Sequence, residues 1–238
     1  MPMSKPPILL VPGINCTERA FTPFLPALWP LGSVTIVNHW RGNTVGALAD
    51  AILAEAPEKF ALLGFSMGGY VTFEILRRAP ERVERVCFLA TSARPDSDER
   101  KAQRLRDIAI AEGGHFASMI GPGFEGVAHP DNLGDENLRA LHLQMALETG
   151  AATYCAQQHA AMTRPDSRPG LVAIAVPTSV IVGEADIATG VDAAREIAAG
   201  IAGAVLTVVP GAGHLLPLEQ PQAVSEALLA WLAMGKSA

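Results

Sequence analysis

The sequence predicts an α/β protein with a mostly parallel sheet of about six strands flanked by helices. Three observations carry that expectation. Apolar runs rich in β-branched residues recur along the chain and are continuous rather than alternating, the pattern of strands covered on both faces. Segments with helical spacing lie between them, so strand and helix alternate. The alternation is suspended once, between Ala93 and Pro169, where polar, helix-rich sequence is punctuated by glycine and proline and contains no strand run.

In order, the strand runs are Ile8 to Val11, Val34 to Val37, Phe60 to Phe65, Val83 to Ala90, Val176 to Val182 and Ala204 to Val209. Helices are expected over Thr44 to Ala56, Met67 to Ala79, Ala188 to Ala202 and Gln220 to Trp231, stretches rich in Ala, Leu and Glu. Segment 93–169 reads as an inserted helical cap of about three short helices, bounded by the turns Arg94-Pro95-Asp96 and Arg164-Pro165-Asp166. One domain over residues 1–238, carrying this insertion, is the expected organisation.

A hydrophobic share of 49% against 18% charged residues is enough to build a core and excludes a disordered composition. The net charge is -6 and Lys and Arg are scattered, which leaves no basic stripe for nucleic acid. The densest basic stretch, Arg100 to Arg106, contains Gln, is flanked by Asp and Glu, and reads as the solvated face of a helix. Cys16, Cys87 and Cys155 lie far apart with no CxxC pair, so neither a disulfide nor a zinc site is expected. The N-terminus, Met1 to Pro7, leads into an apolar stretch too short for a signal sequence, and no run reaches the length of a membrane span. A cytoplasmic protein acting on a small molecule, without metal or organic cofactor, is expected.

The chemistry concentrates at three loops. Gly64-Phe65-Ser66-Met67-Gly68-Gly69 matches G-x-S-x-G where an apolar strand meets a helix. Such a turn exposes a serine on a strained backbone, and small residues on either side let the chain ends approach. A serine hydroxyl attacks a carbonyl only when a base takes its proton. Gly213-His214 supplies one, in the loop after the last strand run, where sites of open α/β sheets form. Of the other histidines only His39 also follows a strand, and it is the rival. The base in turn needs a carboxylate to hold its tautomer. Val182-Gly183-Glu184-Ala185-Asp186 offers two, and Asp186, farther out in its loop, is preferred to Glu184. For a developing oxyanion, the backbone N–H of Met67 at the helix start is one donor. The second is expected after the first strand, in Val11-Pro12-Gly13-Ile14-Asn15, with the N–H of Ile14 preferred to that of Asn15.

These motifs together resemble the α/β-hydrolase superfamily along essentially the whole chain, in the order Ser66, Asp186, His214. The layout is similar to small bacterial esterase-like members such as pimeloyl-carrier-protein methyl esterase, enol-lactonase and menaquinone-pathway enzymes. The resemblance implies a serine hydrolase that forms an acyl-enzyme on a small carboxylic ester. C–C hydrolysis, lactone opening, elimination and a non-catalytic ligand receptor stand as alternatives on the same fold. Two departures accompany the likeness. Pro12 stands where the family has a histidine before the glycine, and the chain enters at what would be the family's third strand. Serine at the elbow sets the chain apart from dehalogenases and epoxide hydrolases, which the resemblance gives an aspartate there, and no G-x-G-x-x-G follows the first strand to suggest a dinucleotide binder. Phe116, Met119, Ile120, Met145 and Tyr154 could line a pocket or form ordinary cap core, and Cys16 reads as a buried filler.

Overall fold

Six strands form one parallel sheet in the order β2-β1-β3-β4-β5-β6. They are β1 (Ile8–Val11), β2 (Val34–Ile36), β3 (Phe60–Phe65), β4 (Val83–Leu89), β5 (Thr178–Gly183) and β6 (Val205–Val209). Residues 6–235 are described, in a computed structural model. Met1 to Lys5, part of the N-terminal stretch read against a signal sequence, lies outside them. Each strand run of the sequence becomes a strand, and the boundaries that move do so for local reasons. Pro177 lacks an N–H and keeps Val176 out of β5, while Ala90 leaves β4 at a φ of 45°.

The helices are a single turn α1 (Leu25–Leu28), then α2 (Val45–Glu55), α3 (Met67–Arg78), α4 (Asp98–Ile110), α5 (Phe116–Gly123), α6 (Glu136–Thr149), α7 (Ala151–Met162), α8 (Val191–Gly200), the turn α9 (Leu216–Glu219) and α10 (Pro221–Ala233). Strand alternation divides the core in two. Leu9 and Val11 face α2, α3 and α8, through Leu48, Val71, Ile75 and Ile197. Ile8 and Leu10 face the other side, where Phe21, Phe24, Leu28, Leu228 and Trp231 pack. The edge strands β2 and β6 are the exceptions to full cover, and both carry exposed positions.

Between β4 and β5 the chain is helical, as expected, but with four helices of eight residues or more, not about three. Gly114, at a φ of 85°, turns the chain between α4 and α5. This segment has a small core of its own, in which Ile108, Phe116, Ile120 and Tyr154 meet. Phe116 and Met145 are therefore interior residues, Met145 belonging to the larger core under the sheet. Among the described residues, no helix is long and apolar enough to cross a membrane.

The order of strands positions the site. The chain runs outward from β1 to β2 and then crosses to β3 on the other side of β1, so the connections diverge at the carboxyl ends of β1 and β3. A crevice opens at such a reversal. The loops after β1 and β3 are the two that meet there.

Candidate active site

Ser66 sits between β3 and α3 with φ 54° and ψ -116°, a conformation that a non-glycine residue adopts only when its surroundings impose it. Two bonds do so here. Its N–H donates to Leu89 O at 2.9 Å, and its carbonyl accepts from Thr91 Oγ1 at 2.7 Å. The neighbouring helix must also come close to β1, and a Cβ on Gly68 would run into the Val11 carbonyl. The glycine is a condition of the turn.

The three loops meet. Ser66 Oγ lies 2.9 Å from His214 Nε2, and His214 Nδ1 lies 2.9 Å from Asp186 Oδ2. His214 and Asp186 are both buried, at 8% and 5% exposure, so the pair is shielded from competing water. Asp186 is itself held: Oδ1 accepts from the N–H groups of Ala188 and Thr189, and Oδ2 from the Thr189 hydroxyl at 2.6 Å. Burial opposes its ionisation. The His214 charge and hydrogen bond, with those of Thr189, outweigh it and hold the carboxyl well below the usual carboxylate range. This turn also explains why the helix expected from Ala188 starts at Val191: the N–H groups of Ala188 and Thr189 are spent on the carboxylate, and Gly190 follows at a φ of 83°.

The alternatives separate cleanly. Glu184 turns away from His214, is half exposed, and accepts from the Gly211 N–H at 2.6 Å. His39 lies 3.2 Å from the Gly13 carbonyl through Nε2, not at Ser66. Since a carbonyl only accepts, that nitrogen carries the proton and donates. Burial pushes the His39 pKa down to about 4, against a smaller opposing pull from the Gly13 bond, so the ring is neutral near pH 7.

Asn15 adopts φ 57° and gives its N–H to Gln157 Oε1 of α7 at 3.0 Å. The N–H groups of Ile14 and Met67 have no acceptor among the described residues. A cavity of about 790 Å³ opens over Ser66 and His214, with Ile14, Asn15, Tyr70, Met119, Ile120 and Tyr154 in its wall. Three of the five residues weighed as pocket lining, Met119, Ile120 and Tyr154, are therefore on it.

Several contributors carried no signal in the sequence reading. Glu219 accepts from Gly213 N at 2.7 Å, His129 N at 2.5 Å and Asn132 Nδ2 at 3.0 Å, binding the His214 loop to the helical segment. The N–H groups of His214 and Leu215 donate to Val127 O. Thr189, three residues after Asp186, was not singled out, although the Asp-x-x-Thr spacing is a local signal for a side-chain turn. Gln157 and Glu219 act across long sequence separations and carry no such signal. Arg100 and Arg104, read as part of a solvated face, line the cavity, and Arg104 is buried. Cys16 is buried beside Gly13, and burial pushes its thiol up to about 12 despite a bond with the Gly13 backbone. Among the described residues, no group of three His, Cys, Asp or Glu side chains could hold a metal ion.

The family model described as "Alpha/beta hydrolase family" matches residues 8–227. A pimeloyl-[acyl-carrier protein] methyl ester esterase of Neisseria meningitidis is 30% identical over 120 residues, which cover 47% of this chain and 46% of that protein. The chain thus spans about half the length of the first relatives that it matches. A hydrolase of Pseudomonas aeruginosa superposes with a TM-score of 0.88 at 29% identity, over 98% of this chain and 91% of that one. A thermophilic esterase of Thermogutta terrifontis superposes with a TM-score of 0.86 at 27% identity, over 95% of this chain and 89% of the other.

Proposed function

The chain belongs to the alpha/beta hydrolase family, and on that premise we propose that it is a serine hydrolase of small carboxylic esters working through an acyl-enzyme. The observation that carries the reading is the unbroken contact from Ser66 Oγ to His214 Nε2 and from His214 Nδ1 to Asp186 Oδ2, each at 2.9 Å. That geometry gives the serine a base and gives the base a fixed tautomer.

In this mechanism Ser66 Oγ attacks the ester carbonyl carbon as its proton passes to His214 Nε2. The carbonyl oxygen becomes an oxyanion facing the free N–H groups of Ile14 and Met67. The C–O bond to the leaving group then breaks, and the alcohol departs with the proton from His214. Water repeats the sequence: its proton goes to His214, its oxygen bonds to the acyl carbon, and Ser66 regains its proton as the acid leaves. Asp186 stays ionised throughout and stabilises the imidazolium. The helical segment between β4 and β5 acts as a cap that closes the cleft and selects the acyl group. The esterase named among the relatives supports ester chemistry for the same relay.

The test is hydrolysis of p-nitrophenyl esters from acetate to decanoate by the wild type and by Ser66→Ala. Turnover that falls about a thousandfold or more in Ser66→Ala supports the reading, and the chain-length optimum sizes the cavity. Absence of turnover at every length, together with failure of a fluorophosphonate to label Ser66, overturns it.

A further inference from the structure

Six charged side chains line the cavity over Ser66: Arg94, Arg100, Arg104 and Arg164 against Asp96 and Asp107. Arg94 turns outward to Glu196, at 2.7 Å. Asp96 is shared by two cations, Arg104 Nε at 2.5 Å and Arg164 Nη1 at 2.7 Å, and all three side chains are at most 7% exposed. Gln158 Oε1 accepts from Arg104, and Arg164 lies 4.0 Å over the Tyr70 ring. Gln158 satisfies an N–H group and the ring face attracts the guanidinium, and neither partner cancels the charge. Asp107 accepts from the Gln103 amide. Arg100 has no side-chain acceptor among the described residues. With Arg94 balanced by Glu196, the cavity is left with three cations and two carboxylates, while the chain as a whole carries -6. The local sign is opposite to the global one.

A buried cation without a matching anion is costly, because burial removes the water that would stabilise it. Two guanidinium groups held against one carboxylate persist at lower cost when a second anion joins them. Arginine also presents a planar fork that matches a carboxylate in two parallel bonds, so the donor type fits as well as the charge. His142 lines the same cavity as a neutral ring, with its pKa pushed down to about 4 by burial and the nearby Arg139, and its Nδ1 is buried without a partner.

We propose that the cleft takes an ester whose acyl chain ends in a carboxylate, received by the exposed Arg100 and the buried Arg104 that line the same cavity, while the ester carbonyl lies at Ser66. The proposal rests on the serine-hydrolase reading of the same site and names its substrate class, a half-ester of a dicarboxylic acid. Arg100 and Arg104 are specificity residues in it, acting on binding and not on bond cleavage.

The test compares two substrates of equal length, mono-p-nitrophenyl adipate and p-nitrophenyl hexanoate, which differ only at the far end. Wild-type kcat/KM for the adipate exceeds that for the hexanoate by about tenfold at low ionic strength, and the preference shrinks as salt is raised to about 0.5 M. In Arg100→Gln the preference falls about fivefold, and Arg100→Lys restores most of it. Binding is read separately by calorimetric titration of Ser66→Ala with monomethyl adipate and with methyl hexanoate, of which only the first gives a signal. Equal kcat/KM for the two p-nitrophenyl esters, or a preference indifferent to salt and to Arg100→Gln, overturns the proposal. If neither ester is turned over and Ser66 resists fluorophosphonate, the hydrolase reading fails on its own. The titration then decides the anion site: selective binding of monomethyl adipate upholds it, and equal or absent binding ends it.

Discussion

The two sides of the cleft are built by different means. On the sheet side Ser66, Asp186 and His214 stand in loops leaving β3, β5 and β6, whose positions follow from backbone register and from close approaches such as Gly68 against Val11. On the helical side the wall is hung on side-chain bonds: Asn15 N–H to Gln157, Arg19 to Glu148, and Glu219 to Gly213 and His129. Backbone pairing cannot be altered one residue at a time, whereas each of these ties can be lost singly. In the proposed reading, chemistry is assigned to the rigid half and selection to the half that substitution can remodel.

The largest expected effect breaks the sheet side by one atom. Asp186→Asn keeps the shape but offers an amide where His214 Nδ1 needs an acceptor for its proton, so kcat falls about ten-thousandfold. Glu184→Gln, in the same loop, stays within about fivefold of wild type, since Glu184 meets Gly211 and not His214. Ester kinetics on the two variants read the contrast directly. Comparable losses would place the orienting charge at Glu184 and remove Asp186 from the relay.

The same side should also respond to acid. His39 holds the Gly13 carbonyl as a neutral ring, with its folded pKa near 4 against 6.5 for the ordinary group. Below the ordinary value the unfolded chain binds a proton that the folded one refuses. The stability from this site is therefore complete above about pH 6.5 and is lost as pH falls towards 4, by about 3 kcal/mol. Gln at position 39 can donate to Gly13 without titrating. Urea midpoints taken from pH 7 to pH 4 should fall less steeply in His39→Gln than in wild type, and parallel curves would show that the ring is not kept neutral.

How much of this was legible in the sequence follows the same division. Strand runs, the elbow at Ser66 and the loops of Asp186 and His214 are local patterns, because an apolar run buried on both faces and a glycine-flanked turn are written in consecutive residues. Of the residues weighed, Asp186 and not Glu184 meets His214, and Asn15 rather than Ile14 gives its N–H to Gln157. Arg104 was misplaced because a charged residue at helical spacing looks solvent-facing until the helix is docked, whereas Arg100 is exposed as read and also lines the cavity. Gln157 pairs with a residue 142 positions away and Glu219 with one 90 positions away, separations at which no sequence pattern operates. Met145 was weighed as pocket lining, and apolar residues at helical spacing do not reveal which of two cores they enter.

The seam between the halves gives a smaller effect. Glu219→Ala removes the acceptor shared by Gly213 N–H and His129 N–H and leaves both donors buried or half-buried without it. A stability loss of about 2 kcal/mol is expected, with kcat lowered about tenfold because the His214 loop loses its brace. KM for a short neutral ester should change less than kcat, since the tie holds the base and not the pocket. A change confined to KM would mean that Glu219 shapes the cap wall only.

Cys16 sets the floor of the series. It lies beside Gly13 on the sheet side and is the nearest cysteine to the loop that presents the Ile14 N–H, so a second nucleophile there is a fair alternative to a filler. Its chemistry argues for the filler. A thiol acts as a nucleophile only as thiolate, and burial holds the Cys16 pKa up at about 12, which leaves a negligible thiolate fraction near pH 7. Cys16→Ala should therefore leave ester turnover within about twofold of wild type and cost on the order of 1 kcal/mol for the small space vacated. Kinetics and a urea titration of the one variant read both numbers. A collapse of turnover with stability intact would transfer part of the mechanism to the thiol, and the division between a chemically committed sheet side and an adjustable helical side would then have to include position 16 among its reacting groups.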